Sequence, residues 1–148
     1  MESYKNEEMI RQIILEHYES PNYKVSQEVA NNLEDYLSYN HKSDSCIDNL
    51  TVYLKISDGI VVDAKFSGFG CAISVSSTDI MCGMLINKNY VEIKQLMENY
   101  FNMIKNDDYD ESLLQELTIF KNVSKQMNRI KCALVGLNSI NNIIEKNK

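Results

Sequence analysis

The sequence predicts an α+β fold, a three-stranded antiparallel sheet with helices packed on one face. Three observations predict it. Two alternating apolar runs flank Asp58-Gly59, a dipeptide that marks a hairpin turn. A third alternating run precedes them. From residue 72 onward the apolar spacing turns helical and stays so. Strands first and helices after place the helices over one side of a single sheet.

Each element follows from its own pattern. Residues 4–19 read as a helix, because Met9, Ile10, Ile13, Ile14, His17 and Tyr18 fall on one stripe. Pro21, in "SPNYK", stops it. Residues 24–34 are polar and ambiguous. Strands are expected near 35–41, 48–57 and 60–67, the second with Leu50, Val52, Leu54 and Ile56 on one face. Helices are expected over 72–86 and 90–104, followed by the acidic connection "KNDDYDES" and a short helical stretch at 112–120. A last helix, roughly 126–146, aligns Ile130, Leu134, Leu137, Ile140 and Ile144. With no internal repeat and no linker, residues 1–148 read as a single domain.

Composition narrows the function classes. A chain of 148 residues is long enough to bury a proper core, and its 44% hydrophobic and 24% charged residues are ordinary for a globular protein. A net charge of -6 argues against nonspecific binding to nucleic acid or an anionic membrane, since both reward a basic face. No apolar run reaches the ~20 residues of a membrane span. The first residues, "MESYKNEEMIRQ", are charged and lack the apolar region of an export signal. The expectation is a cytoplasmic protein with reduced cysteines.

There are four cysteines, at 46, 71, 82 and 132. Cys46 and Asp48 stand two apart in "DSCIDN" at a strand start, so both point to one side. A thiolate and a carboxylate side by side repel each other unless a cation lies between them. Cys71 follows "GFG" at the start of a helix, where free N–H groups favour a thiolate. Cys132 lies in "NRIKCALVG", with Arg129 one helical turn before it and Lys131 adjacent. Three cysteines and an aspartate can make four ligands for a tetrahedral metal. Their spacing matches no zinc finger or ribbon, so the tertiary fold must assemble such a site. For Cys71 a small residue capping a buried helix start is an equal reading of the local stretch, and buried small hydrophobes stay open as a reading of the scattered thiols. Cys82, within the 72–86 helix, is better read as core. His41, five residues before Cys46, reads as a loop histidine at a strand end, the alternative being a ligand or base near Cys46. His17, on the apolar stripe of the first helix, reads as a core-edge histidine with a hydrogen-bond partner. "NDDYDE" lacks the ligand spacing of a calcium loop.

Taken in order, "IILEHYESPNYK", "CID", "GIVVDAKFSGFGCAISVSS" and "RIKCAL" resemble the U-type iron–sulfur cluster assembly proteins, of NifU N-terminal-like fold. The resemblance spans about residues 8 to 146 and is closer to the SufU branch than to the IscU branch. The interval from Cys71 to Cys132 accommodates the extra segment of SufU-type proteins. Lys131 stands where IscU-type proteins have histidine, and the Leu-Pro-Pro-Val-Lys motif of that branch is absent, Pro21 being the only proline. The resemblance implies a SufU/IscU-like fold and a Zn²⁺ site made by Cys46, Asp48, Cys71 and Cys132. It further implies that Cys46 accepts persulfide sulfur from a SufS-type cysteine desulfurase, a pyridoxal-phosphate enzyme. Arg129 would assist engagement with that partner, and the sulfur would pass toward cluster assembly and apo-protein recipients. Alternative readings are a scaffold holding iron or a [2Fe–2S] cluster on the same ligands, and a closed structural zinc module for protein binding. The family's Cys-Gly-Asp is Cys46-Ile47-Asp48 here, which stiffens the loop because a β-branched residue resists positive φ.

Overall fold

A computed structural model describes residues 6–42 and 47–147. It shows the expected three-stranded antiparallel sheet with helices against it. β1 (Leu37–Lys42), β2 (Asn49–Ser57) and β3 (Ile60–Phe69) lie in the order β1-β2-β3. The β2–β3 turn places both Asp58 and Gly59 at positive φ, the backbone a two-residue hairpin of this twist requires. Leu50, Val52 and Leu54 of β2 and Val61, Ala64 and Phe66 of β3 have no solvent exposure and form the sheet's side of the core. The outer edge of β3 is covered by residues 23–25, through Phe66 N–H to Tyr23 O at 3.0 Å and Val25 N–H to Phe66 O at 2.8 Å. Such cover keeps an edge from pairing with another chain.

The helices are α1 (Glu7–Glu19), α2 (Gln27–Ala30), α3 (Ala72–Leu85), α4 (Tyr90–Ile104), α5 (Glu111–Leu114), α6 (Met127–Ala133) and α7 (Val135–Asn147). α3 packs on β3, and α7 on β1 and β2. α3 is the centre of the molecule, buried from Ser74 through Cys82. A helix enclosed on all sides needs its polar side chains satisfied locally. Ser76 Oγ–H donates to Ala72 O at 2.6 Å, and Ser77 Oγ–H to Ser74 O at 3.3 Å. On the side away from the sheet, α1 docks against α3. Asn6 caps α1 by accepting from the Glu8 and Met9 amides. His17 is the core-edge histidine expected, with two partners. Its Nδ1 lies 2.6 Å from Asp79 Oδ2, and its Nε2 lies 2.9 Å from Glu116 Oε1. Asp79 is fully buried and also accepts the Tyr23 N–H at 2.8 Å.

Two expected helices take different forms. The stretch at 112–120 is a single turn, α5, followed by a 3-10 helix over Gln115–Lys125. Gln115 takes φ 48, which ends α geometry, and Leu117, Ile119, Phe120 and Val123 then hold the tighter helix to the core. The helix expected over 126–146 is two helices that meet at Leu134. Leu134 sits at φ -99 and ψ -1, and the Tyr100 hydroxyl donates to Ala133 O at 2.8 Å. That carbonyl would otherwise accept from the amide four residues on, so a buried tyrosine of α4 takes over a bond of the helix ladder.

Candidate metal centre

β3 runs two residues further than its periodicity suggests, and those residues build the site. Gly68 pairs with Leu50 at the strand end with φ +111, and a Cβ there would stand 2.1 Å from Asn49 O. Only glycine lets the two backbones approach this closely. Two residues on, a Cβ at Gly70 would stand 2.3 Å from Ser74 Oγ and 2.8 Å from Asp48 Oδ1. The glycines of "SGFG" thus serve close approach, not a flexible exposed thiol.

Cys71 is the N-cap of α3, and its Sγ accepts the Ser74 N–H at 3.5 Å. Asp48 lies just ahead of β2, not within it, and is wholly buried. Its Oδ1 accepts the Cys71 N–H at 2.9 Å and the Ser74 Oγ–H at 2.8 Å. Cys132, 1% exposed, comes from α6. One ligand atom from each of Asp48, Cys71 and Cys132 lies within 4.8 Å of the others. A strand entrance, a helix start and a later helix therefore converge, which no local spacing encodes. Cys71 is part-exposed, so the cluster is reachable from solvent. Two sulfurs and a carboxylate suit Zn²⁺ or iron better than a hard cation such as Mg²⁺. Two thiolates on one Zn²⁺, each at ~2.3 Å, stand under ~4 Å apart. The cluster is therefore near the size a metal needs.

Cys46, the fourth expected ligand, lies outside the described residues. Arg129 is exposed on α6, one turn before Cys132. His41 is in β1, opposite Leu50, and does not belong to the ligand cluster among the described residues. Ser74 is the site residue that sequence reasoning passed over. Its signal is weak, since serine recurs along this helix and its partner Asp48 sits on a distant segment. A groove of 490 Å³ between α4 and α7, lined by Lys94, Met97, Phe101 and Leu137 among others, contains none of these ligands.

Cys82 is fully buried on α3, as its sequence context suggested. Burial, reinforced by nearby Asp79, pushes its thiol well above the ordinary range. In metal-free native protein, iodoacetamide should alkylate Cys71 at least ~100-fold faster than Cys82, because thiolate is the nucleophile. Peptide mapping after timed alkylation checks this, and rapid labelling of Cys82 without unfolding would contradict it.

The NifU-like N terminal domain family profile matches residues 9–133. The chain is 30% identical over 138 residues to the iron–sulfur cluster assembly scaffold protein IscU of Thermotoga maritima, covering 93% of this chain and 94% of that one. It is 29% identical over 139 residues to the zinc-dependent sulfurtransferase SufU of Bacillus subtilis, covering 93% and 90%. Among solved structures, a chain from Fervidobacterium islandicum AW-1 assigned as a SUF-system scaffold superposes with a TM-score of 0.80 at 28% identity, over 90% of this chain and 94% of that one. The N-terminal NifU-like protein of Brucella abortus shares the fold, with a TM-score of 0.77 at 22% identity over 93% of this chain and 94% of that one. A fold, a ligand cluster and relatives that coincide over nearly the whole length place this chain in the NifU-like N-terminal domain family of iron–sulfur cluster assembly scaffolds, alongside IscU and SufU.

Proposed function

We propose that this protein is a zinc-dependent sulfur acceptor that takes persulfide sulfur from a SufS-type cysteine desulfurase for iron–sulfur cluster assembly. The observation that carries the reading is the convergence of Asp48, Cys71 and Cys132 on one point. Cys46, two residues before Asp48, completes a set of three sulfurs and one oxygen. Bound zinc would keep these thiolates deprotonated and shield them from oxidation.

The chain's own residues supply the rest. The Cys46 thiolate attacks the outer sulfur of the donor's cysteine persulfide. The donor S–S bond breaks, the donor leaves as cysteine thiolate, and the new S–S bond rests on Cys46 with no net oxidation. Exposed Arg129 is a cation beside the site for the partner's acidic groups. Ile47, Phe69 and Met127, which neighbour the ligands in sequence, are 69%, 59% and 86% exposed. Large apolar side chains this exposed on the ligand-bearing segments favour a protein partner over a small solute.

The SufU-like reading is supported by Lys131, by the extra segment around residues 101–120 between Cys71 and Cys132, and by similarity to a relative named a zinc-dependent sulfurtransferase. Similarity to an IscU of nearly equal identity favours the second reading, a scaffold carrying iron or a [2Fe–2S] cluster on the same ligands. Metal analysis and visible absorption of anaerobically purified protein, followed by desulfurase assays with and without it, separate the two. The expected result is near-stoichiometric zinc, no cluster colour, and desulfurase stimulation lost in Cys46→Ala. Arg129→Ala should retain zinc and lose about tenfold in stimulation, the order of one charge-assisted contact. A stable visible cluster that transfers to an apo-protein would replace this reading by the second. No effect on any desulfurase, with zinc bound, would leave a structural zinc module.

A further inference from the structure

We propose that Ser74 is the positioning residue of the metal centre. Its hydroxyl, together with the Cys71 N–H, holds Oδ1 of Asp48 so that the carboxylate meets a metal through its other oxygen only. The proposal rests on the zinc reading above and adds a residue that is not itself a ligand.

The geometry is specific. Ser74 and Asp48 are both fully buried. Two donors reach the same oxygen, Ser74 Oγ at 2.8 Å and Cys71 N at 2.9 Å. A carboxylate pinned in this way cannot turn to chelate through both oxygens. The Ser74 hydroxyl also lies 3.1 Å from Cys71 O, but it has one proton, and the shorter contact to a charged acceptor takes it. Ser74 meanwhile sends its amide to Cys71 Sγ at 3.5 Å. One residue thus touches two candidate ligands from two separate segments. The missing side chain at Gly70 makes room for this, since a Cβ there would overlap Ser74 Oγ at 2.3 Å. Hydrogen-bond partners of this kind orient ligands and set metal affinity.

The test compares the full-length chain with its Ser74→Ala, Ser74→Thr and Ser74→Val variants. Thr and Val have nearly the same shape and differ by the hydroxyl. Zinc affinity is read by competition with a chromogenic chelator, and the ligand field by absorption of the Co²⁺-loaded protein. Thermal unfolding of the metal-free protein is followed alongside. Ala and Val should bind zinc about tenfold to a hundredfold more weakly and shift the Co²⁺ bands, while Thr stays close to wild type. In an Asp48→Ala background, Ser74→Ala should add nothing, because its effect runs through Asp48. Ala and Val variants that bind as tightly as wild type would overturn the proposal. So would a full additional loss in the Asp48→Ala background, or a Val variant that fails to fold where Thr folds. Wild-type protein that binds no zinc would remove both this proposal and the zinc reading. Wild-type protein that binds zinc but stimulates no desulfurase would remove the sulfur-acceptor reading alone, with the Ser74 comparison still decisive for its own.

Discussion

Gly68→Ala should cost about 3 kcal/mol or more of stability, a drop of roughly 6–12 °C in thermal midpoint for a chain of this size. Two causes act together. Gly68 sits at φ +111, a conformation that an L side chain adopts only under strain. Its added Cβ would also lie 2.1 Å from Asn49 O, which is backbone. A flexible side chain could move aside, but this carbonyl belongs to the β2–β3 ladder, where Asn49 pairs with Phe69. The strand end must open, and Asn49 directly follows the candidate ligand Asp48. Zinc affinity should therefore fall along with stability. Thermal unfolding with and without zinc measures both, and a midpoint within 2 °C of wild type, on the scale of under ~1 kcal/mol, would refute the steric argument.

Gly70→Ala should separate the site from the fold. Gly70 does not take positive φ, so alanine fits its backbone. The added methyl would meet Ser74 Oγ at 2.3 Å and Asp48 Oδ1 at 2.8 Å. Both are side-chain atoms and can yield, at the expense of the hydrogen bond between them. A charge-assisted hydrogen bond is worth ~1.5–3 kcal/mol, partly offset by the ~0.4–1 kcal/mol that Gly→Ala removes from the unfolded chain's entropy. The net stability loss should therefore be about 1–2 kcal/mol. Zinc affinity should fall about a hundredfold, the upper end for disturbing the partners of a ligand. Chelator competition and circular dichroism on the same preparation check the pair. A variant that keeps wild-type zinc affinity would show that the Asp48–Ser74 contact does not organise the site.

These two glycines illustrate how much of the site the chain itself displayed. "SGFGC" announced a special turn into a helix, and the helix start at Cys71 is where the pattern put it. The reason for the turn was not visible, because the atoms that demand glycine belong to Asp48, Asn49 and Ser74. The candidate metal ligands are similar. Donor chemistry made Cys71, Cys132 and Asp48 candidates, but their separation in sequence matches no local metal motif, and the resemblance was needed to choose the metal reading over buried thiols. Their convergence depends on α6 lying beside the start of α3. Cys82 was readable as core from its own helix, because a thiol among Met and Ile at helical spacing needs no tertiary information to be buried.

What the sequence alone determined was the sheet and its long helices. Asp58-Gly59 sets a tight turn, alternation assigns a buried face to β2, and period-3.6 apolar stripes make α1, α4 and α7 amphipathic. Those are short-range effects of backbone sterics and side-chain spacing. What only the tertiary structure decided is where regularity gives way. Tyr100 of α4 takes the Ala133 carbonyl and divides the last helix, and core side chains hold Gln115–Lys125 in a 3-10 helix. The two hydrogen bonds on Asp48 Oδ1 come from residues more than twenty positions away. Each is a contact between segments distant in the chain, and its energy exists only once packing has brought them together.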